Sequence, residues 1–363
     1  MTKDENEKKA LLNRALSSEI TKKEIISTGI VELDALLNGG LTVGTMTQIV
    51  GEVATGKTLI ALQIASNFCK QDKKVLFIDT KSDITSSMLI KKGINDYVGK
   101  NFFYICETKF SAVEKLLDAL LAEQSIDLIV IDSIAGLTNS GYLELGSKGI
   151  KVDNNNSNYD SRPLSLLVNK IKKLAIDMNI CVLLTNEFRN KIQVFGKKGT
   201  IIKIFGPKKL QYESTNIIQI SSIGEKKEYC KLFKNLFASL QNDNLGKLLE
   251  FQVIQSNEIA TDVCLPFFLE YGVGISKLIS FIFMLYKKGL VVKTGSYYEL
   301  KSTDIKENGM TSFSKSVEEY TKNKSFDKKI LTDYYKQLIN KVWLDDCIGP
   351  IEPLVIFFNN YKY

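Results

Sequence analysis

The sequence predicts an α/β protein built on a mainly parallel sheet with helices on both of its faces. A glycine-rich pattern at residues 51–58 stands between an apolar strand, 46–50, and a segment with helical periodicity, 59–68. Apolar strand-like runs then alternate with helical segments, and two of these runs, 75–79 and 128–132, end in an aspartate. Alternating β and α units favour a parallel sheet because each helix crosses over to pack on one of its faces.

The composition is that of a globular protein, since 44% of the 363 residues are hydrophobic and 25% are charged. This length allows one large core or two domains. No apolar run reaches the length of a transmembrane helix, and residues 1–16 contain no apolar signal region. We therefore expect a cytoplasmic protein that has no membrane partner.

Histidine is absent, and the six cysteines form no Cys-x-x-Cys pair, so we expect buried thiols and no zinc site. The net charge of +7 suits a polyanionic partner. Without histidine the usual general base is missing. A hydrolytic reaction would therefore depend on carboxylates, lysine and a metal ion.

The pattern at 51–58 is Gly-x-x-x-x-Gly-Lys-Thr, the P-loop of nucleotide-binding proteins. Its glycines allow backbone N–H groups to face phosphate oxygens, and the start of the next helix favours negative charge. Lys57 should neutralise the β- and γ-phosphates, and the Thr58 hydroxyl should hold Mg²⁺. A chance glycine turn would not explain the strand before it and the helix after it. The predicted nucleotide contacts are Gly51, Glu52, Val53, Ala54, Thr55, Gly56, Lys57 and Thr58.

Asp132 ends the apolar strand 128–132 downstream of the P-loop. An acid at this place among alternating β and α units is typical of the carboxylate that holds Mg²⁺ in P-loop enzymes. Strands also end in aspartates that only cap the chain, which is the alternative role for Asp132. The position favours the metal role, so we predict that Thr58 and Asp132 bind Mg²⁺ together.

Two polar segments interrupt the regular pattern. Residues 138–163 are rich in asparagine and lack periodicity, and such a stretch inside a compact domain is either disordered or functional. Residues 190–209 contain glycines, which let backbone amides approach phosphates, and lysines, which supply positive charge. A solvated surface loop is the alternative for this second segment.

The two ends of the chain differ from its centre. Strands at 216–222 and 248–255 should complete the sheet, and residues 301–345 are lysine-rich and mostly helical in pattern. The last residues, 346–363, are apolar and aromatic, and their pattern assigns them no role. At the other end, residues 3–20 have the spacing of a short amphipathic helix, which should pack on the same chain or on another subunit.

Short motifs before the P-loop carry a resemblance to a known family. Ser-Thr-Gly at 27–29, Leu-Asp at 33–34 and Gly-Gly at 39–40 are arranged as in the RecA/Rad51/RadA recombinases. The N-terminal residues and the segment 271–300 resemble bacterial or phage RecA in particular, and the likeness extends over about 4–345. It implies an ATP-dependent recombinase. Such a protein forms a helical filament of its own subunits on single-stranded DNA and exchanges strands with double-stranded DNA in recombination and repair.

This resemblance divides the chain into four parts. Residues 1–30 would contain the helix that docks on a neighbouring subunit, and 31–260 would form the RecA-like ATPase core. Residues 261–345 would form a small α+β C-terminal domain, and 346–363 a tail. The resemblance also makes ATP and Mg²⁺ the expected cofactors.

The polar segments at about 138–163 and 190–209 match the two DNA-binding loops of this family. An arginine expected at the first loop falls near Ser165, and Arg162 lies three residues before it. The DNA-binding residues that the resemblance implies are Arg162, Ser165, Arg189, Lys191, Phe195, Gly196, Lys197, Lys198, Lys203, Gly206, Lys208 and Lys209.

Several residues depart from the family pattern, mostly in the nucleotide site. Lys81 stands where the family has the glutamate that activates the attacking water, and a protonated lysine cannot be a general base. Glu187 replaces the glutamine that senses the γ-phosphate, and Met88 replaces the aromatic residue that stacks on adenine. Gln255 and Asn257 stand at the positions of lysines that reach across the subunit interface.

Lys81 and Glu187 have opposite charges, and both follow strands that should end beside the γ-phosphate, so we expect them to pair. Glu187 could be a relocated base that orients water. The pair could instead be a salt bridge in a site that hydrolyses ATP poorly, or the two changes could be drift in a dispensable site. The predicted catalytic residues are therefore Lys57, Glu187 and Lys81.

The function predicted from the resemblance is that of a RecA-like recombinase and DNA-dependent ATPase. The main alternative is a catalytically weak RecA paralogue that binds ATP and DNA and modulates another recombinase. A hexameric P-loop DNA motor is a further alternative, although the C-terminal segment and the N-terminal helix count against it. Besides DNA and its own subunits, the expected partners are recombination mediators or a single-strand-binding protein.

Overall fold

The structure is a computed structural model of the chain. It describes residues 23–123, 126–138, 158–190, 202–224, 228–257, 261, 263–287, 289, 291–301 and 305–323. The predicted N-terminal helix, most of the first polar segment, the centre of the second and the C-terminal tail lie outside the described residues. So do five predicted DNA-binding residues: Lys191, Phe195, Gly196, Lys197 and Lys198.

The first half of the chain alternates strands and helices, as its apolar pattern predicts. Its elements in order are β1 Ile25–Ile26, α1 Val31–Leu36, β2 Leu41–Thr42, β3 Met46–Gly51, α2 Lys57–Lys70, β4 Val75–Asp79, α3 Ser86–Lys91, β5 Phe102–Cys106, α4 Phe110–Glu123 and β6 Leu128–Asp132. The elements that follow are α5 Asn158–Met178, β7 Cys181–Asn186, β8 Phe188–Asn190, β9 Ile202–Ile204, α6 Lys208–Glu213 and β10 Asn216–Ser222.

The second half contains longer antiparallel strands and the helices that pack on them. It comprises α7 Glu228–Asn242, β11 Gly246–Gln255, β12 Cys264–Glu270, β13 Gly274–Ile275, α8 Lys277–Lys287, β14 Val291–Thr294, β15 Tyr297–Leu300, β16 Lys306–Asn308 and α9 Met310–Asn323. Two of the predicted loops are partly regular: α5 includes residues 158–163 of the first polar segment, and β9 and the start of α6 lie within the second.

Nine strands form the main sheet, in the order β13-β12-β11-β10-β3-β7-β6-β4-β5. The strands from β10 to β5 pair in parallel, and β11, β12 and β13 extend the sheet with antiparallel pairs. The predicted mainly parallel α/β fold is confirmed. The sheet also continues past residue 260, because β12 pairs with β11 and β13 pairs with β12.

Helices cover both faces of this sheet because successive strand residues point to opposite sides. On β4, Val75 and Phe77 pack with α2, whereas Leu76 and Ile78 pack with α4 and α5. Both sets are almost wholly buried. Burial on the two faces explains why the central strands are continuous apolar runs rather than alternating ones.

The C-terminal region has its own apolar cluster. A three-stranded antiparallel sheet of β14, β15 and β16 packs with α7, α8 and α9 around Phe233, Phe237 and Phe283. The Phe233 ring centroid lies 4.8 Å from those of both other rings. The division of the chain into an ATPase core and a C-terminal domain stays a prediction. Among the residues described, no helix has the length and apolarity needed to cross a bilayer.

Asp34 holds the entry to the core together. Its carboxylate accepts hydrogen bonds from the Thr28 backbone N–H at 2.7 Å, the Thr28 hydroxyl at 2.6 Å and the Ser27 hydroxyl at 2.7 Å. Burial raises the pKa of Asp34 to about 7, and these hydrogen bonds oppose the rise. The aspartate of the Leu-Asp motif at 33–34 therefore fixes the position of the Ser-Thr-Gly turn that precedes α1.

We predict that Asp34→Asn flattens the pH dependence of stability between about pH 4 and pH 7. In wild type the unfolded chain releases this proton near pH 3.8, whereas the folded chain keeps it until about pH 7. The contribution of Asp34 to the free energy of unfolding is therefore fully present at low pH. It falls by up to about 4 kcal/mol as the pH rises to that of the folded-state pKa and above. Denaturant unfolding at several pH values measures it.

The exposed Asp96→Asn substitution is the matched control and should keep the wild-type slope. The charge of Asp34 also acts on Lys277 of α8, so the comparison uses the difference between the two variants rather than the wild-type curve alone. An Asp34→Asn curve parallel to that of wild type would contradict the prediction.

Candidate nucleotide-binding site

The P-loop lies between β3 and α2. Its conformation places neighbouring atoms against the backbone at two glycines, where a side chain would collide with them. Gly56 has a φ of +82°, and a Cβ there would meet Leu269 Cδ2 of β12 at 2.4 Å. At Gly51 a Cβ would meet the Thr55 hydroxyl oxygen at 2.7 Å. Glycine is therefore required at both ends of the loop. Glu52, Val53 and Ala54 between them are exposed, and Val53 is 83% exposed.

Lys57 starts α2, and its side chain is folded back into the loop. The ammonium donates hydrogen bonds to the carbonyls of Gly51 at 2.9 Å and Glu52 at 2.7 Å. Burial lowers the pKa of Lys57, while the nearby charges of Glu187 and Asp132 oppose that effect. The helix start and the lysine together concentrate positive charge at the mouth of the loop.

Thr58 and Asp132 are brought together, as predicted for the metal pair. Asp132 ends β6, where its carboxylate accepts a hydrogen bond from the Thr185 hydroxyl and lies near enough to the Thr58 hydroxyl for that group to lower its pKa. Burial raises the pKa of Asp132, and the two hydroxyls and the charge of Lys81 lower it. A hydroxyl and a carboxylate are hard oxygen donors, so this pair fits Mg²⁺.

Lys81 and Glu187 form an ion pair beside these groups, as their opposite charges suggest. Lys81 follows β4 and Glu187 follows β7, and their side chains are 35% and 29% exposed. The hydrogen bond from Lys81 lowers the pKa of Glu187. Glu187 is therefore a carboxylate whose nearest charge is an ammonium, which weakens it as a base.

Asp79 fixes the turn that presents Lys81. Its carboxylate accepts hydrogen bonds from the backbone N–H groups of Lys81 and Ser82, both at 2.9 Å, and of Ile84 at 3.2 Å. The Tyr104 hydroxyl also donates to it, at 3.0 Å. This turn is therefore held in place by β4 and β5 rather than by the nucleotide.

The strand ends are also joined by Thr80. Its hydroxyl donates to the Ser133 carbonyl at 2.8 Å and accepts from the Ser133 N–H at 2.9 Å. A Cβ at Gly136 would meet the Thr80 hydroxyl oxygen at 2.1 Å, so a larger residue there would break this link. Sequence patterns do not reveal Thr80 because nothing in its spacing indicates its partner.

A buried amide network connects the site with the second polar segment. Asn186 Nδ2 donates to Gln48 Oε1 and to the Phe205 carbonyl, both at 3.0 Å. The Phe205 N–H donates to the Glu187 carbonyl at 2.9 Å. Gln48 is fully buried. Its part in this network was not predicted from the sequence, although a glutamine inside the apolar strand 46–50 is a signal that could have indicated a buried polar contact.

A comparison with known proteins identifies the family. A model described as the RecA N-terminal domain matches residues 4–235, which is more than half of the chain. The chain belongs to the RecA family. This membership supports a general role in recombination and DNA repair, and members of the family are DNA-dependent ATPases.

Individual relatives are distant. The chain is 27% identical over 324 residues to Protein RecA of Parvibaculum lavamentivorans, which covers 84% of this chain and 82% of that protein. It is 26% identical over 298 residues to Protein RecA of Paramagnetospirillum magneticum, covering 81% and 77%. It is also 26% identical over 294 residues to DNA repair protein recA homolog 3, mitochondrial, of Arabidopsis thaliana, covering 80% of this chain and 63% of that protein.

Some of the predicted DNA-binding residues lie in the described part of the chain. Arg162 is exposed on α5, and Ser165 is partly buried one turn later. Arg189 of β8 pairs in register with Lys203 of β9, where the Lys203 side chain is exposed. Gly206 has a φ of +104° and leads into α6, which begins with the exposed Lys208 and the partly buried Lys209.

Two other departures from the RecA pattern have structural partners. Met88 lies on α3 and packs, partly buried, against the core cluster of the sheet. The Gln255 side chain donates to the carbonyls of Gln211 at 3.1 Å and Ser214 at 2.8 Å. Asn257 is exposed. Contacts of Met88 with adenine, and of Gln255 or Asn257 with another subunit, stay predictions.

We predict a favourable coupling of up to about 1 kcal/mol between Lys81 and Glu187, because their charges are about one-third exposed and therefore partly screened by solvent. A double-mutant cycle of Lys81→Met and Glu187→Gln measures it from the free energy of unfolding. The matched control is the more exposed pair Lys306–Glu299, separated by 3.8 Å, whose coupling should be close to zero. Equal coupling in the two pairs would contradict the prediction.

Proposed function

We propose that this RecA-family protein is a cytoplasmic recombinase that forms a helical filament on single-stranded DNA when ATP is bound, and pairs that DNA with a homologous duplex. The observation that supports the proposal is a hydrogen-bonded link between the candidate nucleotide site and the second polar segment, which is the expected second DNA loop. Glu187 lies beside Lys57, and its backbone bonds Phe205 at the base of the β8–β9 hairpin. The family membership supports the same assignment.

The P-loop residues have separate tasks in this proposal. Backbone N–H groups of residues 51–58 bind the phosphates, and Lys57 neutralises the charge of the β- and γ-phosphates. Thr58 and Asp132 hold Mg²⁺, which supplies positive charge to the same oxygens when bound. Because Lys57 donates to two loop carbonyls, ATP binding requires it to exchange these partners for phosphate oxygens.

Lys81 and Glu187 make hydrolysis slow in this proposal. The residue at position 81 carries a positive charge, which binds a γ-phosphate but cannot take a proton from water. Glu187 is the remaining carboxylate at this place, and its lowered pKa makes it a weak base. The protein would therefore be a slow DNA-dependent ATPase that remains in its ATP-bound, DNA-binding state for longer.

The proposed connection to DNA consists of the hydrogen bonds that join the end of β7 to Phe205. A γ-phosphate that attracts Lys81 competes with Glu187 for it, which frees Glu187 to shift at the end of β7. The Glu187 carbonyl and the Asn186 amide both hold Phe205, so the hairpin base would move with that strand end. ATP occupancy would thereby alter the basic surface around Lys203 and Lys208.

A second candidate function is favoured by the same ion pair. A RecA paralogue that binds ATP and DNA but does not turn over would act together with another recombinase, with a mediator or with a single-strand-binding protein. The paired Lys81 and Glu187 suit that role because neither is then available to activate water. Strand exchange by the purified protein alone would distinguish the two candidates.

We predict that Lys81→Glu combined with Glu187→Gln raises ATP turnover in the presence of single-stranded DNA by at least about tenfold, because a carboxylate replaces the ammonium at position 81. The matched control, Lys81→Gln with Glu187→Gln, breaks the same ion pair without adding a base and should not raise turnover. Steady-state phosphate release with and without DNA measures ATP turnover. The Lys57→Ala substitution should abolish this turnover. If the single Glu187→Gln variant abolishes turnover, Glu187 is the base and the slow-site proposal is wrong.

We predict that Lys203→Ala and Lys208→Ala weaken single-stranded DNA binding and reduce its salt dependence. Each lost phosphate contact lowers the slope of log K against log salt by about 0.7. Fluorescence anisotropy at several salt concentrations, with a non-hydrolysable ATP analogue, measures this slope. The exposed Lys100→Ala variant, changed just before β5, is the control and should keep the wild-type slope. Equal slopes in all the variants would contradict the prediction.

A further inference from the structure

A cluster outside the nucleotide site joins three elements of the second half of the chain. Cys230 of α7, Glu250 of β11 and Cys264 of β12 each offer one ligand atom, and all three atoms lie within 4.8 Å of one another. The two sulfur atoms are 3.5 Å apart. Cys230 and Glu250 are buried and Cys264 is partly buried, so the fold itself holds these groups together.

The distances suit a thiophilic ion. A tetrahedral centre with Zn–S bonds of about 2.3 Å keeps its two sulfur ligands about 3.8 Å apart, so a small movement of the observed pair would accommodate it. Two thiolates with one carboxylate favour zinc over Mg²⁺, since sulfur is a soft ligand. Thr58 and Asp132 have the opposite preference, so the two sites would select different ions.

Among the described residues, the carboxylate of the cluster has no positively charged partner. Glu250 is 8% exposed, and its Oε1 accepts hydrogen bonds from the Gly224 N–H at 3.2 Å and the Ser221 hydroxyl at 3.5 Å. Within the described part of the chain, no lysine or arginine forms an ion pair with it. Burying a carboxylate without a cation is unfavourable, and a divalent ion would supply the missing charge.

The same two hydrogen bonds orient the carboxylate. Ser221 and Gly224 lie at and just after the end of β10, and both hold Oε1. Supporting bonds of this kind fix ligand orientation in metal sites. Cys230 in turn packs with Phe233 and Phe237 on α7, which sets its position relative to β11. The ligands therefore come from a rigid framework of one helix and two paired strands.

We propose that Cys230, Glu250 and Cys264 bind one Zn²⁺ ion, with a water molecule in the fourth position. Each thiol gives its proton to solvent as its sulfur bonds the ion, so two protons leave for each ion bound. The bound ion links α7 to β11 and β12 and thereby stabilises the packing of the C-terminal aromatic cluster on the main sheet. The absence of histidine and of Cys-x-x-Cys spacing does not exclude this site, because its ligands come from separate elements.

The test uses the full-length protein, freed of metal with a chelator and kept reduced. Co²⁺ is titrated in as the probe, and absorption is recorded for thiolate-to-cobalt charge transfer and for tetrahedral cobalt. We expect one Co²⁺ per chain with both signals, and displacement by Zn²⁺. Zn²⁺ at a hundredfold excess over its Kd should raise the melting temperature by about 3–5 °C.

Variants assign the signal to the cluster. Cys264→Ser should remove the two-thiolate spectrum, and Glu250→Gln should weaken Co²⁺ binding by about tenfold or more. The exposed Cys106→Ser is the matched control and should bind as wild type does. Circular dichroism confirms that each variant is folded, and Cys264→Ser serves where Cys230→Ser fails to fold. Since Mg²⁺ ligands are oxygens, cobalt bound at Thr58 and Asp132 would give no thiolate signal.

Three results would overturn the proposal. The first is the absence of thiolate-to-cobalt absorption in the folded wild-type protein. The second is an unchanged spectrum in folded Cys264→Ser. The third is a Cys230–Cys264 disulfide, detected by peptide mass spectrometry in protein isolated with Zn²⁺ and without reductant, since oxidised sulfurs cannot bind the ion.

Discussion

Parallel pairing of β3, β7, β6 and β4 in one register is the constraint on which the site depends. It sets Asp79 opposite Asp132 and Val50 opposite Asn186, at the edge where the P-loop leaves β3. Parallel strands end at the same edge of a sheet, so residues far apart in sequence meet there without any local motif. A slip of one residue between two strands would turn their end residues to opposite faces and disperse the site.

The two charge changes in this site act as a unit. Lys81 alone would add a second cation beside Lys57, and Glu187 alone would place an anion where phosphate must bind. Their effects on the pKa of Lys57 are opposite in direction, so the pair leaves the charge at the P-loop nearly balanced. This balance is compatible with the P-loop motif and with the close approach of Thr58 and Asp132 in the same site.

The second half of the chain takes part in the first half's site. Leu269 of β12 packs against Gly56, and the Lys247 ammonium of β11 donates to the Ala54 carbonyl at 3.3 Å. The same two strands carry Glu250 and Cys264 of the proposed zinc cluster. The antiparallel strands β11 and β12 therefore support the P-loop. A change that loosens these strands would also loosen the loop.

The sequence by itself determined the fold class, the P-loop, Asp132 and the opposite charges of Lys81 and Glu187, because each depends on local spacing or on a strand's end residue. Helix bounds were less accurate, since α5 begins inside the polar segment 138–163. Only the tertiary structure showed Gln48, Thr80, the Asn186–Phe205 link and the Cys230–Glu250–Cys264 cluster. Their partners come from separate elements, and which side chains meet across a sheet is decided by strand order and register, which periodicity does not encode.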